Sequence, residues 1–285
     1  MHHFPLFLRR ALSWHTAWAV PVAGAMSAVP ISAHAAGTLA VPPGYRLVWA
    51  DEFQRDGLPD RDKWSFDTER NREGWHNEEL QYYSGEGPHN AVVKNGRLVL
   101  TARKESRDSA PDWGGQRYTS ARLHTRGKGQ WTYGFFEISA KLPCGKGTWP
   151  AIWMLGTGGR WPEDGELDIM EFAGREPERV FSTVHVAAGH GAMGVGGAQP
   201  LRDACSAFHR YQMHWTPDEV VFGIDGFAHF RYPRLDLGPR AWPFDKPQYL
   251  LLNIAIGGHL GGPVDDGIFP VSMEVEYVRV YQAAR

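Results

Sequence analysis

The sequence has little of several features that mark other classes of protein. Only two cysteines occur among 285 residues, and no cluster of cysteine and histidine is spaced as a zinc site would require. The 30 basic and 32 acidic residues nearly cancel, so no nucleic-acid or anionic-membrane partner is indicated. No long helical period and no internal repeat are visible, which argues against a helical or repeat architecture.

Turn-forming residues and alternating segments are abundant instead. The 33 glycines and 20 prolines separate many short stretches in which apolar and polar residues alternate, as in half-buried strands. The pair Asn95-Gly96 is a strong hairpin signal. In residues 134–142 the alternation predicts that Glu137 and Ser139 face outward. The pattern as a whole predicts an all-β, two-sheet antiparallel β-sandwich of jelly-roll (concanavalin A-like) type.

The amino-terminal segment, residues 1–35, is typical of a secretory signal peptide. Arg9 and Arg10 precede an apolar run over residues 17–31, and a small-x-small cleavage pattern ends at Ala35. The run is too short and too often interrupted by proline for a membrane anchor. We therefore expect a secreted or periplasmic protein, and the choice between Sec and twin-arginine export stays open.

The rest of the chain, residues 36–285, is predicted to be a single catalytic domain, because no linker precedes a further module. Its two cysteines are Cys144 and Cys205. An exported protein is able to oxidise them. Either they pair across the fold or both are free, and the sequence alone does not decide between these, because it contains no distance.

One acidic stretch does not fit any regular period. Glu166, Asp168 and Glu171 fall within six residues. On a helix they would diverge, and on a plain strand Glu171 would face away from the other two. A β-bulge at residues 169–170 would skip one step of the alternation and place all three on one face. The opposite, core face would then carry Leu167, Ile169 and Phe172.

The flanking residues favour a sugar site over a solvated acidic face. Residues 147–156 are too apolar and aromatic to border a merely solvated strand. Indole rings beside paired carboxylates suit sugars, whose C–H faces pack on them. A retaining glycoside hydrolase needs a nucleophile and an acid/base carboxyl about 5–5.5 Å apart. Like charges in proximity help to keep one carboxyl protonated and the other ionised.

The segment Glu-Leu-Asp-Ile-Met-Glu resembles the E-x-D-x-x-E signature of glycoside hydrolase family 16, in its laminarinase-like branch. The resemblance runs from about Tyr45 to Tyr281. It implies a jelly roll with a concave substrate cleft. It also implies that Glu166 is the nucleophile, Asp168 its helper and Glu171 the acid/base.

Five further residues are candidates for substrate binding. The resemblance supports Asn77 in an N-x-E-L-Q-Y-Y pattern, Arg122 on a strand, and His185 in a T-x-H pattern. Trp149 and Trp153 share one face of a strand and are a plausible sugar-stacking pair. The structural alternatives are a turn-capping asparagine, a surface arginine, a core tryptophan and a histidine that only packs.

A structural calcium is the remaining expectation from the resemblance. Family members often hold calcium on the convex face, which would place it near Glu52, Gly96 and Glu276 here. The family has aspartate where this chain has Glu276, and the difference leaves the site open. No cofactor is expected for the chemistry.

The sequence therefore predicts a secreted, monomeric, endo-acting retaining β-glucanase whose partner is a polysaccharide. The expected substrate is β-1,3-glucan of the laminarin type, with mixed-linkage β-1,3-1,4-glucan as a further substrate. One alternative keeps the chemistry but changes the polymer to agarose or a related galactan. Another is a non-catalytic glucan-binding protein, although such relatives usually lose the catalytic carboxylates.

Overall fold

The computed structural model describes residues 37–284. The predicted signal peptide, residues 1–35, lies outside the described residues, and its boundary with a single domain from residue 36 stays a prediction. Within the described part, no helix combines the length and the apolar character needed to span a bilayer.

Almost all regular structure is strand. The strands are β1 Tyr45–Asp51, β2 Ser65–Phe66, β3 Gln81–Tyr83, β4 Ala91–Lys94, β5 Arg97–Ala102, β6 Tyr118–Ser120, β7 Arg122–His124, β8 Gly134–Lys141, β9 Thr148–Gly156, β10 Glu166–Phe172, β11 Arg179–His185, β12 Val195–Pro200, β13 His209–Trp215, β14 Glu219–Ile224, β15 Phe227–Pro233, β16 Gln248–Ile256 and β17 Val271–Ala283. A four-residue helix α1, Gly258–Gly261, and 3₁₀ turns at His76–Glu78, Gly191–Met193 and Asp266–Ile268 complete the fold.

Two antiparallel sheets form the predicted sandwich. The eight-stranded sheet has the order β15-β14-β13-β8-β17-β5-β4, with β1 also paired to β17. The seven-stranded sheet has the order β12-β11-β10-β9-β16-β7-β2. The all-β prediction is therefore confirmed. The acidic strand β10 lies inside the seven-stranded sheet, between β9 and β11, so its side chains are held from both sides.

Turn chemistry accounts for the hairpins. The turn from β4 to β5 has Asn95 at φ 53° and Gly96 at φ 71°. The turn from β14 to β15 has Asp225 at φ 53° and Gly226 at φ 88°. Two-residue turns of type I′ require positive φ at both central residues, and these residue types tolerate it.

The core fills the space between the two sheets. Phe136 and Ile138 of β8 belong to one buried cluster with Leu167 and Phe172 of β10, and all four are fully buried. Burying a side chain of this size contributes about 1.5–3 kcal/mol. Since one side of β10 is fixed in this core, the other side has to carry its polar residues.

The outward orientation predicted for Glu137 and Ser139 does not expose them to solvent. Both are buried, with 8% and 4% exposure. The Glu137 carboxylate accepts hydrogen bonds from Gln212 Nε2 at 2.6 Å and from Tyr277 Oη at 2.9 Å. Strands β13 and β17 flank β8 on both sides, and their long polar side chains cover the outer face.

The two cysteines form a disulfide, which answers the question that the sequence left open. Cys144 follows β8 and Cys205 precedes β13, with Cα atoms 5.6 Å apart and a sequence separation of 61. Because β8 and β13 pair along their length, the bridge ties the two segments just beyond their shared ladder. It restricts the unfolded chain more than the folded one.

Removing this bridge should lower stability without removing the site. We expect the double variant Cys144→Ser, Cys205→Ser to lose about 2–4 kcal/mol in free energy of unfolding, as is usual for a loop of this length. Guanidinium denaturation, compared with the oxidised wild-type protein, measures the loss. An unchanged denaturation midpoint would contradict a stabilising bridge.

Candidate active site

The acidic strand β10 contains the β-bulge that the charge spacing predicts. Against β9, Asp168 and Met170 pair with consecutive residues, so Ile169 is the extra residue on that side. Against β11, the register shifts between Asp168 and Glu171, so that Ile169 and Met170 lie opposite Ser182 alone. The extra residue changes the face on which every later side chain of the strand lies.

Because of the bulge, the three carboxylates share the solvent side of the seven-stranded sheet, here called the cleft face. Glu166 and Glu171 are half-buried and Asp168 is 2% exposed. The apolar side chains of the same strand are at most 1% exposed; they are Leu167, Ile169, Met170 and Phe172. Met170 is buried in the core as well, although the predicted core face contained only Leu167, Ile169 and Phe172.

Glu166 and Asp168 form the first half of the cluster. Trp161 Nε1 donates to Glu166 Oε2 at 2.5 Å. His185 on β11 places Nε2 at 3.2 Å from Asp168 Oδ2. The histidine thus faces the middle carboxylate, which is the arrangement that the T-x-H pattern implies.

Glu171 is held through both of its oxygens. Trp149 Nε1 on β9 donates to Oε1 at 3.1 Å, and Thr183 Oγ1 on β11 donates to Oε2 at 3.2 Å. The donors come from the strands on either side of β10. The carboxyl position is therefore defined by the sheet register rather than by a flexible loop.

Burial and mutual repulsion disfavour ionisation throughout the cluster. Burial raises the pKa of Glu166 and of Asp168 well above their ordinary values, and neighbouring carboxylates raise them further. Burial also raises the pKa of Glu171, while His185, Trp149 and Thr183 oppose that rise. Three adjacent carboxyls titrate as one unit, so the site retains a proton above the usual carboxyl range.

Arg122 lies inside a stack of aromatic rings rather than on the surface. Its guanidinium lies 4.9 Å from the Trp75 ring and 4.8 Å from the Trp153 ring. Its Nε is 2.9 Å from Asp67 Oδ2. Trp153 Nε1 in turn donates to Asn253 at 2.7 Å. The arginine thus fixes the Trp153 ring as part of the cleft face.

Trp149 and Trp153 lie on the cleft face of β9, as the predicted pair does, and both are half-buried. Asn77 lies near Trp149. A β-carbon on Gly258 would be 2.9 Å from the Asn77 carbonyl oxygen and 3.2 Å from the Trp149 ring, so all three are packed together. Asn77 itself is exposed and has a left-handed φ of 59°, which is the conformation of a turn residue.

Three residues of the site do not follow from sequence reasoning. Trp161 sits in an irregular loop, and no strand period marks it. Thr183 belongs to the recognised T-x-H pattern, but the pattern does not reveal its bond to Glu171. Phe181 is half-buried two residues earlier on the same strand. A cavity of about 310 Å³ opens beside Phe181 and Thr183, bordered by Gly194, Gly196 and Ala198.

The residues expected around calcium are engaged in other contacts. Both oxygens of Glu52 accept hydrogen bonds from Arg279, at 2.8 and 2.9 Å. Glu52 also borders a cavity of about 330 Å³, whose other charged lining residues are Asp51, Asp60, Arg55 and Lys63. Ser139 Oγ donates to Glu276 Oε2 at 2.8 Å, with Arg97 3.8 Å from the other oxygen. Because Glu52 and Glu276 are both paired with arginines, their carboxylates are not free to ligate a calcium ion.

Another set of side chains is spaced as the ligands of a metal ion would be. Within residues 37–284, Glu166, Asp168 and His185 are the one set of three such side chains whose donor atoms all lie within 4.8 Å of one another. These residues belong to the carboxylate cluster described above and do not form a separate site.

The chain is similar to a known family and to several characterised proteins. The family described as "Glycosyl hydrolases family 16" matches residues 78–277. A β-glucanase of Rhodothermus marinus is 45% identical over 254 residues, which cover 84% of this chain and 86% of that protein. The crystal structure of SCLam, described as a non-specific endo-β-1,3(4)-glucanase of family GH16, is 48% identical with a TM-score of 0.85, covering 87% of this chain and 95% of that one. In a mutant of SCLam (47% identical, TM-score 0.84, covering 87% and 98%), a 1,3-β-D-cellobiosyl-glucose lies at the active site.

The raised carboxyl pKa values predict how a neutral substitution changes stability. A carboxyl whose pKa is raised in the folded state destabilises the fold once pH exceeds its unfolded pKa, because the unfolded state ionises more easily. We therefore expect Glu166→Gln to raise the melting temperature at pH 7 by about 2–4 °C. The gain should vanish near pH 3.5, where the unfolded carboxyl is protonated too.

Calorimetric or fluorescence melting at the two pH values measures this effect. Glu178→Gln is a suitable control, because Glu178 is exposed and lies outside the cluster. A Glu166→Gln variant that melts lower than the wild type at pH 7 would show that the cluster is not a site of electrostatic strain.

Proposed function

The chain belongs to glycosyl hydrolases family 16, and from that membership we propose that it is an endo-acting retaining β-glucanase. The proposed substrate is β-1,3-glucan of the laminarin type, with mixed-linkage β-1,3-1,4-glucan also cleaved. The observation that carries the proposal is the bulged strand that aims three carboxylates at one face between indole rings. The similarity to endo-β-1,3(4)-glucanases supports the choice of polymer.

In the proposed mechanism, Glu166 attacks the anomeric carbon while Glu171 protonates the departing glycosidic oxygen. The bond to the leaving sugar breaks as a glycosyl ester forms on Glu166. Glu171, now ionised, takes a proton from water, which attacks the ester and releases the sugar with its original configuration. The first step starts from an ionised Glu166 and a protonated Glu171, and the second step starts from the ester on Glu166 and an ionised Glu171. The raised carboxyl pKa values favour the proton that the cluster must hold before the first step.

Asp168 and His185 support the proposed nucleophile. Asp168 lies between the two glutamates, and a hydrogen bond with Glu166 partly opposes the rise in the Asp168 pKa that burial causes. His185 contacts Asp168 at 3.2 Å. We propose that this pair orients Glu166 and moderates its charge during the formation and breakdown of the ester.

The proposed orientation of the polymer follows from the order of the strands. Trp149, Trp153 and Arg122 lie on β9 and β7, on one side of β10. These residues would hold the sugars that become bound to Glu166, with the Trp149 and Trp153 rings as platforms. Phe181 and the neighbouring cavity lie on the other side, next to Thr183 and Glu171. That side would receive the leaving portion of the chain.

Several expectations stay predictions. We also propose that the protein is secreted or released into the periplasm and that it is a monomer. Calcium near Glu52, Gly96 and Glu276 has no support, because arginines already pair with both acids. The chemistry proposed for Glu166 and Glu171 requires no cofactor.

Reducing-sugar release on a panel of polymers tests the proposed substrate. We expect the mature protein to cleave laminarin into short oligosaccharides, to cleave barley mixed-linkage glucan, and to leave agarose intact. Activity on agarose alone would retain the carboxylate mechanism but reject the proposed polymer. Binding of laminarin without any cleavage would favour the glucan-binding alternative.

Substitution of the proposed nucleophile tests the mechanism. We expect Glu166→Ala to lose nearly all laminarin hydrolysis, by about 10⁴-fold or more, while laminarin still binds in affinity electrophoresis. The control Glu178→Ala removes an exposed carboxyl and should hydrolyse laminarin normally. A Glu166→Ala variant with substantial activity would rule out the proposed role.

A further inference from the structure

The bulge in β10 takes Ile169 out of the regular pairing with both neighbouring strands. A bulge leaves its extra residue outside the regular pairing of strands. Here that residue is Ile169, which is 1% exposed. A buried carbonyl without a hydrogen-bond donor costs about 1–3 kcal/mol. A donor at this position would therefore favour the bulged register over a regular strand.

Ser182 provides that donor. It lies on β11 opposite the bulge, is fully buried, and donates from Oγ to the Ile169 carbonyl oxygen at 2.9 Å. Its side chain points to the core side of the sheet, whereas its neighbour Thr183 points to the cleft and bonds Glu171. Two adjacent residues of β11 therefore contact the bulged strand on its two faces. Ser182 holds the bulge on the core face, and Thr183 holds the Glu171 carboxyl on the cleft face.

His229 completes a chain of hydrogen bonds from the opposite sheet. Its Nε2 lies 3.0 Å from Ser182 Oγ. A serine hydroxyl has one hydrogen, and Ser182 uses it on Ile169. His229 must therefore donate through Nε2–H, which fixes the neutral tautomer. Burial agrees with this assignment, since it lowers the pKa of His229 to about 4.

The hydrogen bond between His229 and Ser182 connects the two sheets and is called the brace below. His229 lies on β15, an edge strand of the eight-stranded sheet, while Ser182 belongs to the seven-stranded sheet. The two sheets meet closely here, because a β-carbon on Gly197 of β12 would lie 2.8 Å from the Phe230 β-carbon. Movement of the bulge would therefore require this packed edge to move too.

We propose that Ser182 and His229 are positioning residues that hold the bulge of β10 and thereby aim Glu171 at the departing glycosidic oxygen. The Ser182 hydroxyl is turned away from the cleft and bonded to the Ile169 carbonyl oxygen. Both residues act through the backbone of Ile169, and the inference rests on the acid/base role proposed above for Glu171. A misplacement of about 1 Å at a catalytic group is able to cost 10²-fold in rate.

The test exploits the dependence of acid catalysis on the leaving group. A sugar leaving group needs protonation by Glu171, whereas 2,4-dinitrophenolate departs without it. For Ser182→Ala we expect kcat/KM on laminarin to fall by about 10- to 100-fold. The same variant should form the glycosyl-enzyme from 2,4-dinitrophenyl β-laminaribioside at nearly the wild-type rate. Azide, which attacks without a general base, should accelerate turnover of the dinitrophenyl substrate.

The matched control is Ser120→Ala. Ser120 is equally buried and donates to a strand carbonyl, that of Ile254, at 2.7 Å. This variant loses the same kind of hydrogen bond at a position away from the bulge. Its melting temperature should fall by an amount similar to that of Ser182→Ala. The ratio of its two activities should stay at the wild-type value.

His229→Phe gives a second route to the same conclusion if Ser182→Ala folds poorly. It removes the brace but leaves the Ser182 hydroxyl, so a smaller shift in the activity ratio is expected, in the same direction. The double variant should be no worse than Ser182→Ala, because both residues act through one chain of contacts. Additive losses in the double variant would contradict a single chain of contacts through both residues.

The outcomes separate this inference from the proposed function. If the wild-type protein does not cleave laminarin, the proposed function fails. If the wild type cleaves laminarin and Ser182→Ala lowers both activities equally, with no response to azide, Ser182 serves only stability and the positioning role is overturned. An unchanged ratio in His229→Phe would remove His229 from the role in the same way.

Discussion

The site depends on one extra residue in strand β10. Without the bulge at Ile169 and Met170, Glu171 would point into the core and displace apolar packing. With it, apolar side chains fill the core while three carboxylates share the cleft face. The neighbouring strands are arranged around this requirement, because Trp149 on β9 and Thr183 on β11 each hold one oxygen of Glu171.

The second constraint is electrostatic. Carboxylates crowded on one face raise each other's pKa values, and burial raises them further. A fold built only for stability would avoid this arrangement. The core beneath it and the ladders on both sides offset the cost. Functionally, the same repulsion keeps a proton within the cluster at a pH where isolated carboxyls would have lost theirs.

Much of this was predictable from local sequence. The spacing of Glu166, Asp168 and Glu171 is incompatible with both regular periods and therefore indicates the bulge. The Asn95-Gly96 pair indicates its hairpin through backbone conformation alone. Non-local contacts were not predictable in this way. Burial of Glu137 depends on Gln212 and Tyr277, which lie 75 and 140 residues away in sequence. Likewise, Trp161 reaches Glu166 from an irregular loop.

The most direct test of the account is to trap the covalent intermediate. A 2-deoxy-2-fluoro-β-laminaribiosyl fluoride should form a stable ester. The fluorine at C2 slows both formation and hydrolysis of the glycosyl-enzyme, and the reactive anomeric fluoride speeds formation alone, so the ester accumulates. Mass spectrometry of peptides from the trapped protein locates the sugar. We expect a single 2-deoxy-2-fluoro-laminaribiosyl adduct on Glu166. An adduct on Glu171, or laminarin hydrolysis with inverted configuration and no adduct, would contradict this expectation.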